Sequence, residues 1–368
     1  MGMNALEVAR KRKGAWRVLG LACRKNRELL ARQIEEFKPR YVYTEKADAD
    51  FEKGFNRVIF FHGGQGLEEM ASIDNIDLII YAVPGIKTLN AFILSVKKGD
   101  RIGLATKEIM VAAGPLINGL LGENGNSVIL PVDSEHNAVF QALIGERKEN
   151  VRKIWLTASG GPFRGRDIRC PSVEEVLAHP VWNMGAKITV DSATMFNKAF
   201  EVIEAHYLFS LPAEKIDVLI HPEAVIHGLA EMVDGTVKGI FSMPDMKFPI
   251  SFVMDYPERN RLTWERIDFS RLGRFTLEPA DRKSPWFSLA LEAIRKKGSF
   301  PVVFNAANEE SVNRFLEGRM PFDRIGAVTE KVLSLHSYRK EVTVEDIFEI
   351  DRWAKIKALE IINKLYAG

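Results

Sequence analysis

The segment RVLGLACRKNRELLARQIEEFKPRYVY, residues 17–43, decides the fold class of this chain. Strand-forming residues fill positions 17–22, a helical pattern covers positions 28–37, and a second strand pattern follows at 41–43. Two strands joined through a helix are typical of a parallel sheet, because a parallel pair needs a long crossover connection. The segment therefore predicts an α/β fold with a Rossmann-like, doubly wound parallel sheet in its N-terminal domain.

The alternation of strand and helix patterns continues along the N-terminal third, and from residue 286 onward the chain is mainly helical. The other predicted elements are helices at 5–12, 87–96, 302–316 and 344–365, and strands at 78–83, 102–105, 154–157, 218–220 and 237–241. These patterns predict four parts, which are a dinucleotide-binding-type domain at 1–130, an α+β catalytic domain at 131–265, a linker at 266–283 and a helical domain at 284–368.

Composition excludes several classes of protein. The chain has 368 residues, of which 46% are hydrophobic and 27% are charged, which suits about two or three domains with cores of their own. A net charge of +2 argues against a nucleic-acid or membrane-surface role. Two cysteines cannot form a disulfide framework, and we find no apolar run long enough to span a bilayer, so the sequence predicts a cytoplasmic protein.

Two acidic residues, Asp133 and Glu135, follow the strand-forming residues Ile129 and Leu130. If the chain stays extended to that point, both carboxylates leave the backbone on the same side of the strand. Such a pair, with the Ser134 hydroxyl between, suits a hard divalent cation such as Mg²⁺ or Mn²⁺. A solvated turn with two acids would give the same pattern.

A second polar segment, residues 189–201, is predicted to be a loop that enters a helix, with Asp191 or Ser192 as its cap. On that helix Asn197, Lys198 and Glu201 lie three or four positions apart and therefore share one neighbourhood. A hydroxyl, an amide and an ammonium near a helix N-terminus can hold a phosphate, and Glu201 offers a third carboxylate to a metal. The alternative is a helix with a solvated lysine and glutamate pair.

Two glycine-containing segments lie between these. The strand predicted at 154–157 runs into Ser159, Gly160 and Gly161, where backbone amides can approach an anion closely, although an ordinary turn would look similar. Residues 179–185 place Trp182 and Met184 beside proline and glycine, which predicts a mobile loop with an apolar lid. Trp182 could equally be a core anchor.

Basic residues follow the strand of residues 17–22. Dinucleotide-binding folds specific for NAD usually carry an acid near this point, whereas basic residues suit the 2′-phosphate of NADPH. Arg24 and Lys25 therefore favour NADPH, with a solvated basic turn as the alternative.

Together these segments resemble the 1-deoxy-D-xylulose 5-phosphate reductoisomerase family. The resemblance covers nearly the whole chain and extends to the segments ATKE at 105–108, HPEAVIH at 221–227, PDM at 244–246 and NAANE at 305–309. It implies an enzyme that uses NADPH and a divalent metal (Mg²⁺, Mn²⁺ or Co²⁺) to isomerise and reduce 1-deoxy-D-xylulose 5-phosphate to 2-C-methyl-D-erythritol 4-phosphate, in isoprenoid precursor synthesis. It also implies a homodimer.

The resemblance implies a role for each residue that matches the family pattern. The implied metal ligands are Asp133, Glu135 and Glu201. The implied catalytic and substrate-binding residues are Lys107, Ser134, Glu135, Ser159, His179, Trp182, Ser192, Asn197, Lys198 and Glu201. The implied cofactor-binding residues are Arg24, Lys25, Asn26, Thr106, Glu108, Met184 and Gly185, although Thr106 stands where the family usually has asparagine.

The N-terminus departs from the family pattern. The family begins with a strand and the motif Gly-Ser/Ala-Thr-Gly-Ser-Ile/Val-Gly, of which Gly2 alone remains here. Because a dinucleotide-binding fold needs that strand at its centre, we expect about a dozen native residues to precede Met1. The alternative is a true loss of that strand, which would leave an NADPH-binding pseudoenzyme. Two further alternatives concern the function: another NADPH-linked reductase of a branched sugar phosphate or semialdehyde, and a metal-binding structural module.

Overall fold

The structure of the protein is a computed structural model, which describes residues 1–12, 14–164, 170–182, 184–261, 263–271 and 273–366. The chain forms two compact units. The first unit comprises Met1–Thr106, Gly119–Val132 and Pro249–Arg259, and the second comprises Lys107–Asn118, Asp133–Phe248 and Asn260–Gly368. Within the described ranges, no helix has both the length and the apolar character required to cross a bilayer.

The first unit contains two three-stranded parallel sheets. The predicted parallel pairing is confirmed, but the strands form two sheets where the sequence predicted one doubly wound sheet. One sheet has the order β1 (Gly20–Cys23), β2 (Tyr41–Thr44), β3 (Ile59–His62), and the other has the order β4 (Ile79–Tyr81), β5 (Arg101–Leu104), β6 (Val128–Pro131). Its helices are α1 (Gly2–Lys11), α2 (Arg27–Phe37), α3 (Ala49–Lys53), α4 (Gly63–Ala71) and α5 (Leu89–Lys98). The longer α6 (Lys107–Asn124) begins in the second unit and ends in the first.

Helix α2 shows how the sequence produces this sheet. The Asn26 side chain caps the helix by accepting a hydrogen bond from the Leu29 amide. Leu30 and Ile34, four positions apart, are buried together against Val42 of β2. The helix therefore covers the strand that it leads to, which is the arrangement that a parallel crossover requires.

The second unit has a mixed sheet with helices packed against it. The strand order is β10 (Val237–Phe241), β9 (Ile226–Met232), β7 (Val151–Ala158), β8 (Ile216–Ile220), β11 (Glu278–Pro279), in which only β7 and β8 are parallel neighbours. The helices that carry the polar segments are α7 (Ser134–Leu143), α8 (Val173–Leu177), α9 (Ala186–Ala193) and α10 (Phe196–Leu208). Helix α11 (Lys247–Asp255) begins after the sheet, and its residues from Pro249 onward belong to the first unit.

The C-terminal part is helical, as predicted. It consists of α12 (Pro285–Lys296), α13 (Ser299–Leu316), α14 (Ile325–Leu335) and α15 (Val344–Tyr366). Phe304 of α13 packs against Phe196 and Phe200 of α10, with ring centroids 5.6 and 4.9 Å apart. The α/β fold class is thus confirmed, whereas the division into four parts stays a prediction.

Two predictions about local structure are wrong. The strand before the acidic residues ends at Pro131, and Asp133 is the N-cap of α7, so Glu135 lies in the first turn of a helix and not on a strand. Residues 189–193 belong to α9, so neither Asp191 nor Ser192 caps α10. The N-cap of α10 is Met195, whose backbone has a left-handed conformation. In both places a helix end, the first turn of α7 and the last residues of α9, was mistaken for irregular chain because its polar residues are also common in loops.

Candidate functional site

Three carboxylates from two helices of the second unit meet at one point. Asp133 and Glu135 stand at the start of α7, and Glu201 lies in the middle of α10 with 1% of its surface exposed. One oxygen from each lies within 4.8 Å of the others. The predicted trio therefore forms, although a helix N-terminus rather than a strand end brings it together.

Two buried lysines neutralise most of this charge. The Lys107 ammonium lies 2.6 Å from Asp133 Oδ2 and 3.1 Å from Glu201 Oε1. The Lys198 ammonium contacts Glu135 Oε1 at 2.7 Å, the other Glu201 oxygen and the backbone carbonyl of Thr157. The alternative of a solvated lysine and glutamate pair on α10 is therefore wrong, since both residues are buried.

The pKa values follow from burial and pairing. Burial alone would lower the pKa of Lys107, but the charges of Asp133 and Glu201 outweigh it and raise that pKa well above its ordinary value. Burial would likewise raise the pKa of Asp133, yet Lys107 holds it well below its ordinary value. For Glu201, burial and then the charge of Glu135 raise the pKa.

This donor set fits a hard divalent cation. All three donors are carboxylate oxygens, which Mg²⁺ and Mn²⁺ prefer, and three carboxylates exceed two ammonium groups by one negative charge. Asp133 also belongs to a second group of possible metal ligands, which it forms with His136 and Glu204. This second group includes a nitrogen donor, so the all-oxygen trio fits Mg²⁺ better.

His136 and Glu204 were not assigned a ligand role from the sequence, and their contacts explain why they matter. His136 Nε2 donates to the Glu201 carbonyl oxygen at 2.8 Å, and its Nδ1 lies 3.6 Å from Glu204 Oε2. Burial raises the pKa of Glu204 to about 7. His136 thereby braces the backbone that carries Glu201. Its position three residues after Asp133 would have indicated that it lies beside the Asp133 carboxylate, had the segment been predicted to be a helix.

The predicted phosphate-binding residues come from three neighbouring segments. Ser159 follows β7, Ser192 lies near the end of α9, and Asn197 lies in the first turn of α10. A Cβ on Gly161 would lie only 2.9 Å from the Ser192 carbonyl oxygen, so the loop after β7 lies directly against the end of α9. The side chains of Asn197 and Lys198 both contact the carboxylate cluster: Asn197 accepts from Lys107 and donates to Glu201, and Lys198 pairs with Glu135 and Glu201. The phosphate role of all four residues stays a prediction.

The lid loop is attached to Ser159 through His179. His179 Nδ1 accepts hydrogen bonds from the backbone amides of Val181 and Trp182, at 3.2 and 2.9 Å. The proton is therefore on Nε2, which donates to Ser159 Oγ at 3.2 Å. Burial lowers the pKa of His179, which favours this neutral form. The Trp182 ring lies 6.1 Å from the ring of His227, measured between centroids.

Met184 and Gly185 follow the lid tryptophan, while Asn183, between them and Trp182, lies outside the described residues. Met184 is partly buried, and Gly185 is the exposed N-cap of α9, whose carbonyl oxygen accepts hydrogen bonds from Thr189. Their cofactor role stays a prediction.

The other predicted cofactor residues are divided between the two units. In the first unit, exposed Arg24 pairs with Glu45 at 3.2 Å, Lys25 is exposed, and Asn26 caps α2. The buried Thr106 hydroxyl donates to the carbonyl oxygens of Tyr81 and Val83, so it is already engaged with backbone.

In the second unit, Glu108 pairs with Lys187, a partly buried lysine that the sequence reasoning missed. The other partner of Lys187, Asp191, lies one turn along the same helix, but the sequence prediction placed Asp191 in a loop, so the spacing of this pair was not recognised.

A buried histidine beside the lid gives the first testable prediction. Burial lowers the pKa of His227 from 6.5 to about 4. The unfolded chain therefore takes up a proton between these values that the folded chain does not, so the contribution to stability is present above pH 6.5 and is lost as the pH falls toward 4. The loss should reach about 3 kcal/mol.

The substitution His227→Gln tests this. Glutamine keeps a donor for the Ser242 carbonyl oxygen, which His227 Nε2 contacts at 3.1 Å, but it does not titrate. Urea unfolding at a series of pH values should show a shallower acid loss for the variant, with any difference at pH above 7 reporting packing alone. The same slope for both proteins would contradict the assignment.

The sequence of this chain is similar to sequences of known proteins. Family profiles match at residues 1–114 (1-deoxy-D-xylulose 5-phosphate reductoisomerase), 129–209 (its C-terminal domain) and 241–357 (DXP reductoisomerase C-terminal domain). The reductoisomerase of Thermodesulfovibrio yellowstonii is 43% identical over 99% of this chain and 97% of its own length. That of Sulfurihydrogenibium sp. is 44% identical over 99% and 96%.

Solved structures agree over the same extent. The 1-deoxy-D-xylulose 5-phosphate reductoisomerase of Zymomonas mobilis, in complex with NADPH, matches with a TM-score of 0.89 and 34% identity, covering 99% of this chain and 96% of its own. A DOX-P reductoisomerase in complex with NADPH, fosmidomycin and magnesium matches with a TM-score of 0.92 and 32% identity, covering 100% and 97%. This chain belongs to the 1-deoxy-D-xylulose 5-phosphate reductoisomerase family.

Proposed function

We propose that this chain catalyses the NADPH- and divalent-metal-dependent isomerisation and reduction of 1-deoxy-D-xylulose 5-phosphate to 2-C-methyl-D-erythritol 4-phosphate, a step in isoprenoid precursor synthesis. The observation that carries the proposal is the trio of partly buried Asp133 and Glu135 with fully buried Glu201, balanced by two lysines, in a member of this family. A structural module has no need of such an expensive concentration of buried charge.

Asp133, Glu135 and Glu201 would hold the divalent cation. When bound, it acts as a Lewis acid that draws electron density from substrate oxygens. The chain's own groups prepare the site. Ser134 Oγ donates to Glu135 Oε2 and orients that carboxylate, while the ammonium of Lys107 keeps Asp133 ionised and can donate to a substrate oxygen beside it.

At the other end of the substrate, Ser159, Ser192 and Asn197 would bind the phosphate, with the N-terminal amides of α10. His179 supports this end by donating to Ser159, and the lid residues Trp182 and Met184 would exclude water. Binding energy at a remote phosphate holds the reacting carbons in place. NADPH supplies the hydride, and Arg24 and Lys25 would pair with its 2′-phosphate.

The experiment follows NADPH oxidation with 1-deoxy-D-xylulose 5-phosphate, with Mg²⁺ or with a chelator, and identifies the product by NMR. Magnesium-dependent oxidation that yields the branched erythritol phosphate supports the proposal. Oxidation that yields an unrearranged product would indicate another NADPH-linked reductase. Binding of NADPH without any turnover would indicate a pseudoenzyme.

Substitution of the lid residue, Trp182→Ala, should raise KM for the sugar phosphate and lower kcat. The expected loss in kcat/KM is about tenfold or more, ~1.4 kcal/mol of transition-state stabilisation, because the open loop admits water. Trp353→Ala, which removes a ring that packs on His336 in the helical part, is the matched control and should leave kcat/KM unchanged. Unchanged kinetics for Trp182→Ala would refute the lid.

We further propose that the protein is a cytoplasmic homodimer. The two free cysteines, Cys23 and Cys170, support a reducing compartment. Five apolar side chains of the second unit support self-association, since each is at least 38% exposed: Val237, Phe241, Phe269, Phe275 and Leu277. Light scattering should give twice the mass of one 41.5 kDa chain, and a monomer mass would exclude the dimer.

A further inference from the structure

Helix α9 is held by a buried polar network that the mechanism above does not use. Asp191, which is 2% exposed, lies at its centre. The Lys187 ammonium, one turn back on the same helix, lies 2.7 Å from Asp191 Oδ2. The side-chain amide of Asn308, which is fully buried in α13, donates to Asp191 Oδ1 at 2.8 Å. Both carboxylate oxygens are therefore engaged.

The network continues to the first turn of α6. The Lys187 ammonium also lies 3.5 Å from Glu108 Oε1, and Glu108 directly follows Lys107 in the first turn of α6. Asn308 belongs to the NAANE segment, which identifies the family but had no assigned role. Helix α9 is thus tied to α6 on one side and to α13 on the other.

The position of α9 matters because its last turn carries Ser192, the residue after Asp191. The Ser192 carbonyl oxygen lies against Gly161 of the loop after β7. Thr194 Oγ1 then donates to the carbonyl oxygens of Val190 and Asp191, which closes the turn that leads into α10 and Asn197. A displacement of the last turn of α9 would therefore move Ser192 relative to the other proposed phosphate-binding residues.

Stability alone is a poor explanation for the network. A buried ion pair often contributes little to the free energy of unfolding compared with apolar residues of the same volume, because its charges lose their hydration. Such a network does fix one geometry, because each buried polar group has few alternative partners. A fixed geometry is what a binding site needs from its supporting residues.

We propose that Asp191, held by Lys187 and Asn308, is a positioning residue that fixes Ser192 for the phosphate group of the substrate. The inference rests on the proposed function, since it assumes a phosphorylated sugar at this site. It assigns the NAANE segment a specific role through Asn308, which binds no substrate itself.

The test compares the variants Asp191→Asn and Asn308→Ala with wild type by calorimetric titration in Mg²⁺ without NADPH. The ligands are 1-deoxy-D-xylulose 5-phosphate and the phosphate-free 1-deoxy-D-xylulose. We expect the affinity for the phosphorylated sugar to fall about tenfold in each variant, equal to about 1.4 kcal/mol. The affinity for the phosphate-free sugar should not change. Asn308→Ala leaves the Asp191 and Lys187 pair intact, so it serves if Asp191→Asn does not fold.

Glu310→Gln is the matched control, because it also neutralises a buried carboxylate paired with a basic residue one turn away, Arg314 at 2.6 Å. It should bind both sugars as wild type does. Unchanged affinity for the phosphorylated sugar in the folded variants would overturn the inference, and so would an equal loss for both sugars. Failure of wild type to bind the phosphorylated sugar would instead overturn the proposed function, and the inference with it.

Discussion

Replacement of Glu201 by glutamine should lower metal-dependent turnover by more than about a hundredfold. Loss of a residue that merely orients a metal ligand typically costs ten- to a hundredfold in affinity or activity, and Glu201 would be a direct ligand. Glutamine keeps the size of the side chain and an oxygen for the Lys107 ammonium, but it removes the negative charge and replaces the oxygen that accepts from Lys198 with an amide nitrogen. Turnover measured across a Mg²⁺ titration checks this.

The same variant should remain folded. Without a metal, three carboxylates face two ammonium groups, and burial together with the charge of Glu135 already raises the pKa of Glu201. Neutralising one carboxylate leaves two of each sign, so the melting temperature in a chelator should stay near that of wild type. The increase in melting temperature on adding Mg²⁺, which reports binding to the folded state, should be lost.

Glu204→Gln is the matched comparison, because Glu204 lies one turn further along α10 and is equally buried. If the metal is held by Asp133, Glu135 and Glu201, this variant should keep the Mg²⁺-dependent increase in melting temperature. If the increase disappears in Glu204→Gln and persists in Glu201→Gln, then the group with His136 is the metal site, and the assignment of the trio is wrong.

The fold class was predictable because it depends on short-range patterns. The crossover of residues 17–43 has its apolar residues at helical and strand spacing, and α2 and β2 form where those patterns lie. The strand β3 (Ile59–His62) was missed, since a run of four residues beside glycines gives too short a pattern to recognise. Boundaries at polar segments were also missed, as at Asp133, where capping residues resemble loop residues.

The candidate site was predictable in its residue types but not in its partners. Asn197, Lys198 and Glu201 share one helix face, so their contacts follow from spacing. The contacts of Lys107 with Asp133 and of Asn308 with Asp191 join residues that are distant in sequence. Such pairs depend on tertiary packing, and a single sequence contains no local signal for them.

Lys198 is one of the two buried lysines that contact the carboxylate trio, and its substitution, Lys198→Met, should strongly destabilise the metal-free protein. Methionine matches the length of the side chain but removes the charge. It would leave Glu135 and Glu201 close together without this counter-ion, in a site where Lys198 is 3% exposed. Removal of one partner of a buried ion pair typically costs about 3–5 kcal/mol. Urea unfolding in a chelator should show a loss of this size.

Magnesium should then reduce the difference in the free energy of unfolding between Lys198→Met and wild type. A bound cation supplies the positive charge that the two carboxylates have lost. Lys187→Met is the matched control. Lys187 is a partly buried lysine that also has two carboxylate partners, Asp191 and Glu108, but these lie outside the trio. In a chelator, Lys187→Met should lose about as much unfolding free energy as Lys198→Met, and this loss should persist in magnesium. If magnesium restores both variants or neither, the carboxylate trio is not where the cation binds, because only a cation at the trio can replace one lysine and not the other.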